Sequence, residues 1–180
     1  MTTARAEAHC GYARPMFEIR RFEASDWAGT WAALQPVFRA GETYPFAPDI
    51  HEGEAHRVWV KHPRSTFVAL DDRGRIAGTY YIKPNQAALG AHVCNCGYVV
   101  ADFARRQGLG AALCRHSQAQ ALDEGYRAMQ FNLVVSTNTA AVRLWQRCGM
   151  EIVARLPGAF RLPSGDFVDA FVMYRWLGEG

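Results

Sequence analysis

A strand, a short basic loop with two glycines and the start of a helix follow one another between residues 99 and 113. The run is Val-Val-Ala-Asp-Phe-Ala-Arg-Arg-Gln-Gly-Leu-Gly-Ala-Ala-Leu. The first amides of a helix have no partners within it, and the helix dipole adds partial positive charge there. Such junctions bind anions, most often phosphate. Gly108 and Gly110 let a ligand approach the backbone, and Arg105 and Arg106 add charge.

The glycine spacing does not fit two common phosphate-binding loops. A Walker A loop needs Gly-x-x-x-x-Gly-Lys-Ser/Thr, and the dinucleotide fingerprint needs Gly-x-Gly-x-x-Gly. Residues 105–110 instead read Arg-x-x-Gly-x-Gly. The alternative to a ligand site is a plain connection between a strand and a helix, with a solvated basic loop.

The spacing resembles the acetyl-CoA-binding motif of the GNAT N-acetyltransferase superfamily, Arg/Gln-x-x-Gly-x-Gly/Ala. The resemblance implies that acetyl-CoA is the co-substrate, that loop amides hold its pyrophosphate and that strand backbone pairs with its pantetheine arm. The positions that it implies for acetyl-CoA here are Tyr98, Val99, Val100, Arg105, Arg106, Gln107, Gly108, Leu109, Gly110 and Ala111.

Length and composition bound the other possibilities. A chain of 180 residues is about one domain, and we divide it into a flexible arm, 1–15, and a single domain, 16–180. A net charge of +3 is too weak to indicate nucleic acid or membrane as a partner. The arm has no apolar run typical of a signal peptide. Five scattered cysteines predict no disulfide framework, so we expect a reduced, cytoplasmic protein.

The order of predicted elements agrees with the resemblance. Hydrophobic periodicity and turn residues predict strands at 17–21, 65–70, 76–83, 92–101, 128–135, 151–156 and 167–176, with helices at about 25–38, 51–62, 109–124 and 140–148. We therefore expect an α/β (α+β) fold of GNAT type, with a mixed, mostly antiparallel central sheet and helices on both faces. His51 and His56 are five residues apart, not the four of a zincin helix, so no metal site is predicted.

The segment 138–150 resembles the second GNAT signature, Asn-x-x-Ala-x-x-Leu-Tyr-x-x-x-Gly-Phe, with Trp145 at the Tyr position and Met150 at the Phe position. In many family members that Tyr protonates the departing thiolate, which an indole N–H cannot do. Asn138 and Trp145 are the two acetyl-CoA contacts implied in this segment. The alternatives are that Asn138 only caps its helix and that Trp145 only packs on it.

A closer resemblance is to the GNAT branch that contains the yeast azetidine-2-carboxylate acetyltransferase. It rests on the runs 41–45, 92–100, 131–134 and 137–138. That branch has three active-site asparagines, which correspond to Asn95, Asn132 and Asn138 here, and it implies a small amino or imino acid as acceptor. Asn132 interrupts an apolar strand, where a buried amide without partners costs about 1–3 kcal/mol. Asn95 has low β-propensity and also lies in a strand. The alternative for each is a satisfied core amide.

The loop 41–48 carries Glu42, Tyr44 and Phe46, and loops on a scaffold often bind ligands. We predict that Tyr44 and Phe46 contact the acceptor with Asn95 and Asn132; the alternative is that both aromatics fill the core. The strand at 92–101 holds no carboxylate, which leaves Glu42 and His92 as candidate bases.

The sequence therefore predicts direct transfer of an acetyl group from acetyl-CoA to the amine of a small molecule, with catalytic roles for Asn95, Asn132 and Glu42. The alternative is a non-catalytic acyl-CoA-binding module, which the missing Tyr and the missing strand carboxylate favour. The sequence does not decide whether the protein forms a homodimer.

Overall fold

The computed structural model describes residues 16–178, which fold around one seven-stranded sheet. The strands are β1 (Glu18–Arg21), β2 (Ser65–Leu70), β3 (Ile76–Pro84), β4 (Val93–Val100), β5 (Ala128–Val135), β6 (Glu151–Arg161) and β7 (Phe167–Trp176). Their order in the sheet is β1-β2-β3-β4-β5-β7-β6. Only β4 and β5 are parallel neighbours, so the predicted mixed, mostly antiparallel α/β fold is confirmed. The predicted arm, 1–15, lies outside the described residues.

Four helices accompany the sheet: α1 (Trp27–Ala40), α2 (Glu52–His56), α3 (Leu109–Asp123) and α4 (Thr139–Arg147). Successive residues of a strand point to opposite faces of the sheet. Tyr80 of β3 packs with Leu113 of α3 in one core cluster, while Tyr81 packs with Phe38 of α1 and with Trp59 in a second cluster. We call the two sides the α3 face and the α1 face. Helices therefore cover both faces, as predicted.

The parallel pair β4–β5 separates soon after it forms. The two strands pair at two register positions, the second of which joins Cys94 to Met129. Both strands continue beyond this pair, but their described residues no longer pair with each other. Each strand then presents free backbone groups to a gap, and such groups need partners. We call the point of separation, at Asn95 and Gln130, the fork.

The start of α1 has no side-chain cap. Asp26 occupies the N-cap position, but its carboxylate does not bond to the amides of α1. It accepts two hydrogen bonds of 2.7 Å from the guanidinium of Arg20 and one from the amide of Glu23. These bonds hold the pKa of Asp26 below its usual range, with the Arg20 bonds the largest cause. Pro36 does not stop the helix, which ends at Gly41, where φ is +63°.

The segment 51–62, predicted as one helix, is α2 followed by one π-helical turn, Arg57–Lys61. The turn places Trp59 fully inside the core of the α1 face, where its indole donates to Thr79 Oγ1 at 3.1 Å. A π-turn adds a residue to the helical repeat, so a period of 3.6 residues does not reveal it.

The predicted end of β6 at Leu156 is wrong, because the strand runs on to Arg161. β6 is an edge strand and most of its side chains are exposed. It therefore lacks the alternation of apolar and polar residues on which a sequence prediction relies. Pro157 and Gly158 are tolerated because they lie on an edge, within an irregular stretch of the pairing with β7.

None of the helices in the described range has the length and apolar character needed to cross a membrane.

Candidate active site

A cleft of about 1180 Å³ runs along the second half of β4. The end of α1, the loop after it, the start of α3 and the inner side of α4 form its walls. It brings together most of the residues predicted to bind acetyl-CoA: Tyr98, Val99, Val100, Arg105, Arg106, Gly108, Leu109, Gly110, Ala111, Asn138 and Trp145. Gln107 does not line this cleft; its side chain turns back and donates to the Phe103 carbonyl at 2.9 Å.

The basic loop has an alternating backbone conformation. Arg105 is extended, whereas Arg106 and Gly108 have positive φ angles of +61° and +79°. The first helical hydrogen bonds run from the amides of Ala111 and Ala112 to the Gly108 carbonyl. The amides of Leu109 and Gly110 therefore precede the hydrogen-bond ladder of the helix. Turns of this kind gather N–H groups into a concave site for anions, and the dipole of α3 adds to it.

The two glycines of the motif are required for different reasons. Gly108 has open space around it, but its left-handed conformation disfavours any side chain. Gly110 is helical, and a Cβ there would lie 2.9 Å from Leu144 Cδ2 of α4. Gly110 thus lets α3 and α4 approach each other at the wall of the cleft, a packing role that the motif did not indicate.

Asn95 spans the fork with its side chain. Its amide nitrogen donates to the Gln130 carbonyl of β5 at 2.9 Å, where the next backbone rung between the strands would be. Its amide oxygen accepts a long, 3.5 Å hydrogen bond from the Tyr81 hydroxyl. The side chain is buried and does not line the cleft. Asn95 is therefore held as a buried amide with its hydrogen bonds satisfied, which is the alternative that the sequence offered. It lies at the closed end of the gap.

The expectation that Asn132 is a buried amide is wrong. The pairing of β5 with β7 shifts register between Phe131 and Val134, which forms a bulge, and Asn132 is exposed there. Its oxygen accepts from Gln130 Nε2 at 2.8 Å, and its nitrogen donates to Asn85 Oδ1 at 2.7 Å. The argument from the cost of a buried amide therefore does not apply, although Asn132 still lies two residues beyond the fork.

The segment after β5 caps a helix and lines the cleft at once. The Asn138 side chain accepts from the Ala141 amide at 3.1 Å, so it is the N-cap of α4. Trp145 packs with its ring centroid 4.8 Å from Tyr98 and 5.2 Å from Phe131. Both alternatives for these residues, capping and packing, are present in the structure, and neither prevents contact with a ligand in the cleft.

The loop after α1 is tied to β4. The Tyr44 hydroxyl donates to the Tyr98 carbonyl at 3.0 Å, and Tyr44 stacks on Phe46 at 5.7 Å. Phe46 also packs edge-on against Phe38 of α1. The two aromatics thus join the core of the α1 face, and neither lines the cleft. Glu42 does line it and is exposed to solvent.

The groups able to move a proton are few. The cleft lining holds two carboxylates, Glu42 and Asp102, and Asp102 is paired with Arg105 at 2.9 Å. His92 lies before β4, outside the cleft, beside the Leu89 carbonyl. Burial raises the pKa of Tyr98 well above its usual range, so its hydroxyl stays neutral. Glu42 is therefore the carboxylate in the cleft that has no ion pair among the described residues.

Arg175 helps to position α4, and no local sequence pattern indicates this role. Arg175 of β7 donates to the Cys148 carbonyl at the end of α4 and to Gln118 Oε1 of α3 at 2.9 Å. Gln118 Nε2 also donates to that carbonyl at 2.9 Å. A Cβ on Gly149 would collide with Arg175, so this glycine makes room for the contact. These residues are far apart in the sequence, and they fix α4 against α3.

No group of three or more His, Cys, Asp or Glu residues that could hold a metal ion occurs within residues 16–178.

Comparison with known proteins places the chain among acetyltransferases. The model of the acetyltransferase (GNAT) family matches residues 27–150. N-acetyltransferase aca1 from Schizosaccharomyces pombe is 28% identical over 148 residues, which is 73% of this chain and 71% of that protein.

Solved structures give the same result. A GCN5-related N-acetyltransferase from Kribbella flavida has a TM-score of 0.84 and 37% identity, and the match covers 89% of this chain and 98% of that one. The fold is also that of a GNAT phosphinothricin acetyltransferase from Sinorhizobium meliloti, solved in complex with acetyl-CoA. That match has a TM-score of 0.82 and 20% identity and covers 92% and 91% of the two chains.

Proposed function

The chain belongs to the acetyltransferase (GNAT) family and is an acetyl-CoA-dependent N-acetyltransferase, and we propose that it acetylates the amine of a small amino or imino acid directly. One observation carries the proposal. The cleft contains an anion-binding loop beside the part of β4 that has separated from β5, and the two strands diverge at a fork bordered by carboxamide side chains. Such a site can hold a long anionic co-substrate by its phosphates and a small polar acceptor at the far end.

The residues present suit acetyl-CoA. The loop 105–108 and the first amides of α3 form a donor-rich concave surface for the pyrophosphate, where Arg106 adds positive charge. The free backbone of β4 beyond the fork can pair with the amides of the pantetheine arm. The Tyr98 carbonyl already accepts from Tyr44, but a carbonyl oxygen has a second lone pair for another donor. Trp145 offers an apolar surface beside that strand.

Bound acetyl-CoA would supply a thioester, whose carbon the acceptor nitrogen attacks: the C–N bond forms, the C–S bond breaks and the amine loses one proton. The backbone amides of β4 near Val99 polarise the carbonyl oxygen. Glu42 accepts the proton, directly or through water, because it is the free carboxylate in the cleft. The leaving thiolate needs little help from an acid, since the pKa of a thiol is about 8.5. Trp145 therefore need not replace the missing tyrosine as an acid.

The test is titration calorimetry with acetyl-CoA followed by an assay of CoA release. The assay uses a panel of small amines that includes azetidine-2-carboxylate and proline. We expect binding with turnover of at least one amino or imino acid. Absence of acetyl-CoA binding would overturn the proposal, and binding without turnover of any amine would favour the non-catalytic alternative.

The role of Glu42 has its own test. The variant Glu42→Gln should lower kcat at least about 100-fold, because general-base catalysis commonly contributes that much, while the KM for acetyl-CoA stays unchanged. Asp102→Asn is the matched control, since that carboxylate is already paired with Arg105. If Glu42→Gln retains more than about half of the wild-type kcat, the proton leaves by another route.

A further inference from the structure

Lys83 lies on the α1 face of the sheet, next to the fork. It is directly opposite Asn95 in the antiparallel register of β3 and β4. Side chains opposite each other in such a pair have Cβ atoms about 4.5–5.5 Å apart and point to the same face. The ammonium group therefore belongs to the surface beside the closed end of the gap.

The charge of Lys83 has no carboxylate partner within residues 16–178. The side chain is half-buried, and its Nζ lies 5.3 Å from the centre of the Tyr81 ring, which attracts a cation but carries no negative charge. None of the ion pairs among the described residues includes it. A lysine of this kind buries its apolar stem and keeps its ammonium group accessible, so the charge is available to an anionic ligand.

A row of carboxamide groups lies near Lys83 in the sheet, starting on β5 and ending at the residue after β3. A chain of hydrogen bonds runs from Gln130 Nε2 to Asn132 Oδ1 and from Asn132 Nδ2 to Asn85 Oδ1. This chain of hydrogen bonds ends at the side-chain nitrogen of Asn85, Nδ2, which donates to none of the residues that the structure describes. Asn85 directly follows β3, and its backbone amide continues the pairing with β4 by donating to the Val93 carbonyl, so its side chain projects to the same side as Lys83. One cation and one uncommitted N–H donor match the charge and the two oxygens of a carboxylate.

Asn95 is less suited to that task. Its nitrogen is committed to the Gln130 carbonyl and its oxygen to the Tyr81 hydroxyl. Asn95 holds β4 and β5 together at the fork and contacts the hydroxyl of Tyr81, whose ring lies beside Lys83. It therefore acts as a positioning residue. Direct recognition of a charged acceptor then falls to Lys83, which no sequence motif had singled out.

We propose that Lys83, with Asn85 beside it, binds the carboxylate of the acceptor and so makes the enzyme specific for amino or imino acids over plain amines. The inference rests on the proposed function and adds a subsite to it. An acceptor anchored there by its carboxylate has its amine next to the fork, at the end of the gap that would receive the thioester.

The test compares each acid with its own carboxamide, which removes the charge and keeps the amine. The pairs are azetidine-2-carboxylate, proline and leucine with their amides. Wild-type protein should prefer at least one acid about tenfold or more in kcat/KM, and Lys83→Met should remove that preference by raising KM for the acid about 10- to 100-fold. Its kcat/KM for the amides and its KM for acetyl-CoA should stay within about twofold.

Lys61→Met is the matched control, because Lys61 is exposed and is the other lysine of the chain. Lys83→Arg keeps the charge and should retain most of the preference.

Calorimetric titration of the same pairs, in the presence of CoA, separates this inference from the proposed function. If no amine turns over, but an acid binds better than its amide and only Lys83→Met abolishes the difference, the subsite stands and the proposed reaction fails. If turnover occurs and Lys83→Met keeps the preference for the acid, or slows the acid and the amide equally, the subsite is overturned. It is equally overturned if no acid binds or reacts better than its amide.

Discussion

The two ends of the proposed binding site, the loop at the start of α3 and the fork, present different kinds of group to a ligand. At the start of α3 the chain presents mainly backbone, in a loop whose shape depends on positive φ angles at Arg106 and Gly108. At the fork it presents side chains, with Asn95 bridging the strands and other carboxamides beside it. Recognition by backbone groups depends on a particular backbone conformation, and few residue types adopt a positive φ. Recognition by side chains changes whenever one of those side chains is substituted. The first end therefore suits a ligand common to a family, and the second suits the part that differs among its members.

The largest effect should come from changing the backbone end. Gly110→Val would place a branched side chain against Leu144, where a Cβ alone already comes within 2.9 Å. Overpacking of this kind costs about 1–3 kcal/mol of folding free energy. If the clash is relieved by displacing the first turn of α3, the amides that bind the pyrophosphate move with it, and acetyl-CoA affinity should fall by up to about 100-fold in calorimetry. Gly53→Ala is the control, because its Cβ would meet nothing within 4 Å. Circular dichroism checks that the variant is folded. Unchanged affinity in a folded Gly110→Val protein would show that the backbone end does not bind acetyl-CoA.

A smaller and differently placed effect is expected at the fork. Asn95→Ala removes the donor to the Gln130 carbonyl, and leaving a buried acceptor unpaired costs about 1–3 kcal/mol of unfolding free energy. The KM of the amine should rise about tenfold, while the KM of acetyl-CoA should change less than about threefold. Steady-state kinetics with each substrate varied in turn measures both. Gln120→Ala removes an amide from the surface of α3 and serves as the control. Equal changes in both KM values would contradict the division into two ends.

The smallest effect on activity should come from a site that serves neither end. Asp26→Asn breaks the pair with Arg20 and should lower the unfolding free energy by about 1–3 kcal/mol at pH 7, with both KM values unchanged. Because the pKa of Asp26 is depressed in the folded protein, its contribution is present above the unfolded pKa of about 3.9 and is lost as the pH falls through the folded value. The difference from wild type in urea unfolding should therefore shrink between pH 7 and pH 3. A constant difference would mean that Asp26 acts through its shape and not its charge.

The sequence reveals the backbone end better than the fork for a physical reason. The loop 105–110 is a local motif, and β5 and α3 have strong periodicity, so these elements were predicted within a residue or two. The exposure of Asn132 depends on a bulge in the pairing with β7, a strand more than thirty residues away in the chain. The contact of Arg175 with the end of α4 is also non-local. The bulge and the Arg175 contact both depend on which residues of distant strands pair in the sheet, and local sequence patterns do not predict that pairing.

The loop after α1 is a second place where closeness in the sequence did not predict which side chains face the cleft. Glu42, Tyr44 and Phe46 were grouped by their closeness in the sequence, but the structure divides them. Glu42 faces the cleft, while the two aromatics pack on Phe38 beneath it. Their direct contact with the acceptor remains a prediction, and their position indicates support of the loop that carries Glu42.

The short pairing of β4 with β5 has a mechanical consequence. It joins the four strands β1 to β4 to the three strands β5 to β7, and it does so at two register positions. A small rotation of one group of strands against the other therefore strains few backbone hydrogen bonds. The hydrogen bond between Asn95 and Gln130 opposes such a rotation, and so do the Arg175 contacts between α3, α4 and β7. The line along which acetyl-CoA is proposed to bind is thus also the line where the fewest backbone pairs hold the sheet together among the described strands.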